Sequence, residues 1–123
     1  MLSSSFAQDF AQDWIDSWNS HDLEKVLVHY DEDFEMNSPL IIKIAGESSG
    51  RLKGKKSVAA YWGQALKLVP DLKLELISVL LGVNSLTLYY KSVGGKLAAE
   101  TFHFDEKLKV VKAYAHYQIE PIE

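Results

Sequence analysis

Glu100 is the residue on which chemistry could most readily turn. It lies in Lys96–Asp105, which with Lys109–Gln118 reads as two long antiparallel strands joined through Glu106 and Lys107. Side chains alternate across a sheet. Setting Phe104 against Lys109, and so Glu100 against Ala113, collects Ala98, Glu100, Phe102, Phe104, Val111, Ala113, Ala115 and Tyr117 on one face. That face is apolar and aromatic, with one carboxylate at its middle. Two readings of Glu100 follow. Desolvated among Phe102, Phe34 and Trp62, it would have a raised pKa and could orient a ligand carbonyl or hydroxyl, or act as a general acid/base. At the mouth of a barrel it would be hydrated, or paired with a lysine such as Lys91. His103 and His116 fall on the opposite, mixed face with Lys112 and Tyr114. Two histidines without a nearby carboxylate make a poor metal site. Asp31, Glu32 and Asp33 are adjacent, point in different directions and lack an Asp-x-Asp-x-Asp-Gly loop, so they read as a solvated polar corner. No metal and no cofactor is expected. His21 is expected in a turn, and His29 at the polar edge of a helix.

The 123 residues predict one domain spanning 1–123. A composition 47% hydrophobic and 24% charged is that of a soluble globular chain. Thirteen basic and seventeen acidic residues leave a net charge of −4, which argues against a nucleic-acid or anionic-membrane surface. Arg51 is the only arginine, so bidentate phosphate recognition is not indicated either. With no cysteine there is no disulfide, thiolate nucleophile or cysteine metal site. No signal-peptide pattern and no membrane-length apolar run is present, so the expected location is cytoplasmic.

The elements that must position Glu100 can be read in order. Ser3–Asn19 predicts a helix whose stripe is Phe6, Phe10, Trp14 and Trp18, widened by Ala7, Ala11 and Ile15. Asp22 or Ser20 can cap a short second helix with Leu23, Val26, Leu27 and Tyr30 on one face. Phe34–Ser38 predicts a short strand, with Phe34, Met36 and Ser38 on one side, ended by Pro39. Leu40–Ala45 is a second short apolar run, followed by a flexible loop at residues 46–50. Lys55–Val69 predicts a third helix burying Val58, Tyr61, Trp62, Ala65, Leu66 and Val69, and Pro70 forces its end. Leu72–Gly82 and Ser85–Val93 predict two more strands, and Gly94-Gly95 a two-residue hairpin turn. The first of these strands is apolar on both faces from Ile77 to Leu81, so it needs cover on both. Helices supply one cover, and a second copy of the chain, in a homodimer through the outer sheet face, would supply the other.

Three helices on one face of a strongly curved, mainly antiparallel sheet make an α+β cone. The motifs Trp14-x-x-x-Trp18-Asn-x-His-Asp-Leu23, Tyr30-x-x-Asp33 followed by Pro39, Gly50-Arg-Leu-x-Gly54-Lys, Phe102-x-Phe104-Asp-Glu and Ala115-His-Tyr117 stand in an order that resembles the SnoaL-like branch of the nuclear transport factor 2-like superfamily. The resemblance implies a cone-shaped α+β barrel with a hydrophobic pocket, frequently dimeric. Relatives include ketosteroid isomerase, limonene epoxide hydrolase, polyketide cyclases, scytalone dehydratase and non-enzymatic domains, so the fold does not fix the function.

Carried over by resemblance, the isomerase base falls on Ser38, its oxyanion tyrosine on Trp14, its protonated aspartic acid on Glu100 and its pocket tryptophan on Tyr117. A serine cannot take a proton from carbon without a base beside it. The epoxide hydrolase Asp-Arg-Asp arrangement cannot be built from one loop arginine. What remains expected is a pocket of Trp14, Trp18, Phe34, Met36, Ser38, Tyr61, Trp62, Phe102 and Tyr117 around Glu100, holding a small hydrophobic molecule by one polar handle. The alternatives are a polyketide cyclase-like or isomerase-like enzyme with Glu100 as acid/base, and a non-catalytic dimerisation domain.

Overall fold

The aromatic stripe at the N-terminus positions the rest of the chain. In the computed structural model, which describes residues 2–119, helix α1 (Ser4–Asn19) turns Phe10, Trp14 and Trp18 inward with Ala7, Ala11 and Ile15 between them. The Ser3 hydroxyl accepts the Phe6 amide at 3.0 Å and caps the helix. There follow α2 (Leu23–Leu27), β1 (Tyr30–Asn37), α3 (Pro39–Ile44), β2 (Arg51–Lys53), α4 (Lys55–Leu68), β3 (Glu75–Gly82), β4 (Ser85–Lys91), a 3-10 turn (Val93–Gly95), β5 (Leu97–Phe104) and β6 (Val110–Tyr117). The strands form one curled sheet in the order β2-β1-β6-β5-β4-β3. Every neighbouring pair is antiparallel except β1 with β6. Register shifts interrupt the β1–β6, β3–β4 and β5–β6 ladders. Such shifts bend and twist strands, and here they help the sheet wrap around the helices. The α+β cone expected from the sequence is what forms.

The details differ from expectation in five places. The apolar run after Ser38 is a fourth helix, α3. Pro39 occupies its first turn, and the Ser38 hydroxyl accepts the Leu40 amide at 3.2 Å. Gly50 closes this corner at φ +71°, its carbonyl accepting the Ser38 amide at 2.9 Å. A Cβ there would come within 3.3 Å of the Ser38 carbonyl oxygen. Second, β1 starts at Tyr30 rather than Phe34, so α2 is shorter and the acidic residues 31–33 belong to a strand. Third, Arg51–Lys53 forms a sixth strand, pairing with β1. Fourth, β4 and β5 are joined through Ser92–Lys96, where the Ser92 amide donates to the Lys96 carbonyl at 2.7 Å, and not by a two-residue Gly94-Gly95 turn. Fifth, the β5–β6 register is shifted. Glu100 faces Ala115, Phe102 faces Ala113 and Phe104 faces Val110. Asp105 is the cause. Its side chain accepts the amides of Lys107 and Lys109, both at 2.9 Å, and builds a turn with Leu108 at φ +62°. The bulge beside it turns Val110 inward instead of Val111.

The first helix also fixes where β3 begins. Asn19 donates to the Leu74 carbonyl at 2.9 Å and accepts the Leu74 amide at 2.7 Å. The His21 ring meets the Leu72 carbonyl at 2.8 Å. These side chains take up backbone groups that a strand ladder would otherwise use, so β3 starts at Glu75, not Leu72. His21 is the exposed turn residue expected, and its ring also clamps the backbone at Leu72. Leu74 is buried, so Asn19→Ala leaves both of its backbone groups without that partner. We expect a loss of roughly 1–3 kcal/mol in urea denaturation, the cost of unpaired buried polar groups. An unchanged midpoint would mean that the clamp is not structural.

Candidate functional site

The cavity inside the cone has a volume of about 130 Å³. Helix α1 contributes Trp14 and Trp18, and α4 contributes Tyr61, Trp62, Ala65 and Leu66. The sheet supplies Met36, Tyr90, Glu100 and Tyr117. Leu40 and Ile44 of α3, Val69 at the end of α4, the clamped Leu72 and Leu74, and Ser92 and Val93 complete the wall. A dry cavity of about 150 Å³ accommodates benzene, so this one suits a ligand of about one ring.

Seven of the residues expected at the site therefore meet around one space: Glu100, Trp14, Trp18, Met36, Tyr61, Trp62 and Tyr117. Phe34, Phe102 and Ser38 are corrections, since they do not line it. Phe102 is enclosed by Phe10 and Trp14, with ring centres 5.0 and 5.4 Å away. Phe34 packs on Tyr30 at 4.4 Å. Ser38 is occupied as the cap of α3, and its hydroxyl lies within hydrogen-bonding reach of Tyr61 and Tyr117.

Glu100 is buried, with only 4% of its surface exposed. Alternation on β5 turns it inward between Ala98 and Phe102, opposite Leu88 on β4 and Ala115 on β6. Lys91 is exposed and pairs across the sheet with Leu97, so it is not the partner of Glu100. Burial drives the Glu100 pKa up to about 8, and a hydrogen bond with Tyr90 only partly offsets that rise. The phenols of Tyr30, Tyr61, Tyr90 and Tyr117 are themselves pushed above their ordinary range, first by burial and then by the charge of Glu100. At neutral pH the site therefore holds a protonated carboxyl among neutral phenols.

Sequence reasoning missed Tyr30 and Tyr90. Tyr90 follows Leu86 and Leu88 at every second position of β4, and this period-two signal places it inward. Tyr30 was assigned to a helix, whereas it opens β1. The Trp14 Nε1–H donates to the Tyr30 hydroxyl at 3.0 Å. The donor that the resemblance put at the oxyanion position is consequently already engaged. The Trp18 Nε1, also buried at the cavity wall, has no hydrogen-bond partner among the described residues. The histidines stand elsewhere. His29 packs on Phe10 and pairs with Asp13, while His103 packs on Tyr114 at the outer face. No cluster of three or more His, Cys, Asp or Glu side chains suited to a metal occurs among the described residues.

A curled sheet closed by helices over one buried carboxyl defines a cone of the nuclear transport factor 2-like class. The chain belongs to the SnoaL-like domain family, whose sequence pattern it matches over residues 11–115. A SnoaL-like protein of unknown function from Burkholderia thailandensis is 52% identical, with 94% of this chain and 97% of that one covered at a TM-score of 0.91. A nuclear transport factor 2-like protein of unknown function from Cytophaga hutchinsonii is 16% identical, with 96% and 95% covered at 0.67. IdmH of Streptomyces antibioticus, a candidate polyketide cyclase, is 12% identical, with 90% and 91% covered at 0.74. The last two establish the likeness of fold alone. None of the functionally curated proteins compared matches the chain.

The raised Glu100 pKa carries a stability signature. The folded chain keeps a proton that the unfolded chain loses between about pH 4.5 and 8. Stability contributed by this group is thus intact below that window and falls as pH rises through it. Glu100→Gln removes the titration. Its stability relative to the parent should therefore increase across the window by about 1.4 kcal/mol per unit of the true pKa rise. Urea denaturation of both proteins at acid, neutral and alkaline pH measures this, and a pH-independent difference would show an ordinary pKa.

Proposed function

We propose that this SnoaL-like domain binds a small, mostly apolar molecule in the cone cavity, held through one polar handle at Glu100. The observation that carries this reading is chemical asymmetry. A single ionisable carboxyl opens onto a cavity walled, apart from Ser92, by aromatic and other apolar side chains. Ligand pockets commonly have this mixture of apolar wall and few polar groups. The unpaired Trp18 indole N–H beside the same cavity adds support, because buried donors are normally satisfied.

A second reading, general acid/base catalysis by Glu100, is favoured by a pKa near neutrality. Ser38 offers no second base, since it is engaged in capping α3. The fold it shares with the candidate cyclase IdmH permits such chemistry without specifying it. Ring-sized fragments should quench or shift tryptophan fluorescence, since Trp14, Trp18 and Trp62 all border the cavity. The absence of any response from a broad fragment set would remove the binding reading. For a ligand that is turned over, Glu100→Gln should abolish turnover while leaving its affinity within about threefold. Turnover retained by that variant would exclude the enzymatic reading.

We also infer a homodimer through the outer side of the sheet. Ile77 and Leu80 on edge strand β3 are 45% and 56% exposed, and Leu80 pairs with Thr87 on the outer face. An uncovered apolar edge invites pairing, and a second copy would shield the same residues on both partners. Sedimentation of the parent chain should give a dimer, and Leu80→Asp a monomer with the fold intact. A monomeric parent at micromolar concentration would refute the inference.

A further inference from the structure

We propose that the ligand, granted the cavity-binding reading above, is a small organic cation, an amine or quaternary ammonium, held between the Glu100 carboxylate and the surrounding aromatic rings. Among the described residues, Glu100 supplies the only carboxyl on the wall, and no lysine, arginine or histidine lines the cavity. A buried carboxylate without a cation is costly; protonation meets that cost in the free protein, and a bound charge of opposite sign is the other way to meet it. Three tryptophans and three tyrosines share the wall: Trp14, Trp18, Trp62, Tyr61, Tyr90 and Tyr117. Aromatic faces attract cations, most strongly where water is excluded, and rings grouped around a carboxyl resemble the cages that hold ammonium groups. Once ionised, the carboxylate disfavours anions, and the chain as a whole carries −4.

The titratable groups facing Glu100 are Tyr90 from β4, Tyr30 from β1, Tyr61 from α4 and Tyr117 from β6. All four are phenols, neutral at physiological pH and anionic when ionised, so none can supply a counter-charge to the carboxylate. Cation binding must therefore displace the Glu100 proton wherever the carboxyl is protonated. Affinity for a permanently charged ligand should rise by about tenfold per pH unit up to the Glu100 pKa and then level off. A neutral ligand that accepts a hydrogen bond from the protonated carboxyl should show the opposite trend.

The test compares choline with its uncharged isostere, 3,3-dimethylbutan-1-ol, and with toluene as a purely apolar probe. Binding is followed by tryptophan fluorescence and calorimetry at about pH 6 and pH 9. At the higher pH we expect choline to bind at least about tenfold more tightly than the isostere, consistent with desolvated cation–π and charge contacts. That preference should shrink at the lower pH and disappear in Glu100→Gln, which should still bind the isostere. If the isostere or toluene binds and choline is no tighter at pH 9, the cation inference is overturned while the cavity reading survives. If none of the three binds, both fall.

Discussion

One carboxyl without a counter-charge inside an aromatic shell is the constraint around which this structure is arranged. Placing Glu100 there costs stability at neutral pH, because burial favours its protonated form over the ionised form that the unfolded chain would adopt. Apolar residues such as Leu86, Leu88 and Ala113 on the same inner face carry no such penalty. The hydrogen bond from Tyr90 lowers the cost without cancelling it. A group retained at such a cost is a natural focus for function, although the fold by itself assigns none.

The shell is held by contacts that look unrelated to the cavity. Trp14 packs against Trp18, Tyr90 and Phe102 with ring centres 6.2, 5.5 and 5.4 Å away, and its N–H is tied to Tyr30. Trp18 meets Trp62 at 5.0 Å. One face of α1 is thereby locked to β1, β4, β5 and α4. Asn19 and His21 then bind the backbone at Leu74 and Leu72, two residues of the cavity wall. The same helix turn that carries Trp18 thus also sets the rim. A substitution at Asn19 would act on the cavity through its wall without touching a ligand.

Periodicity exposed most of this architecture. The four-residue spacing from Phe6 to Trp18 defined α1, and alternation along Ala98, Glu100 and Phe102 turned the carboxyl inward, whatever the exact register. Local side-chain bonding hid the rest. Asp105 reshapes the β5–β6 turn and moves the pairing by two residues. Ser38 and Pro39 convert an apolar run into a helix. Asn19 withdraws Leu72–Leu74 from the sheet. Each is a side-chain hydrogen bond or backbone constraint that hydrophobic spacing does not encode. The site suffered in the same way. Tyr90 was available from alternation on β4, but placing Tyr30 required knowing that α2 stops at Leu27.

Two of the four positions that the resemblance maps from the isomerase, those of its base and its oxyanion tyrosine, are committed to structure. Ser38 caps α3, and the Trp14 N–H is spent on Tyr30. Proton chemistry at this site would have to rest on Glu100 with Tyr90 beside it. A lone carboxyl with a phenol beside it can protonate, can deprotonate once ionised, and can return a proton it has taken, but each step demands a substrate atom placed within hydrogen-bonding reach of Glu100. Binding demands less. It needs a cavity of suitable size, a wall that rewards burial and one group that selects a polar feature, and those three are the properties gathered around Glu100.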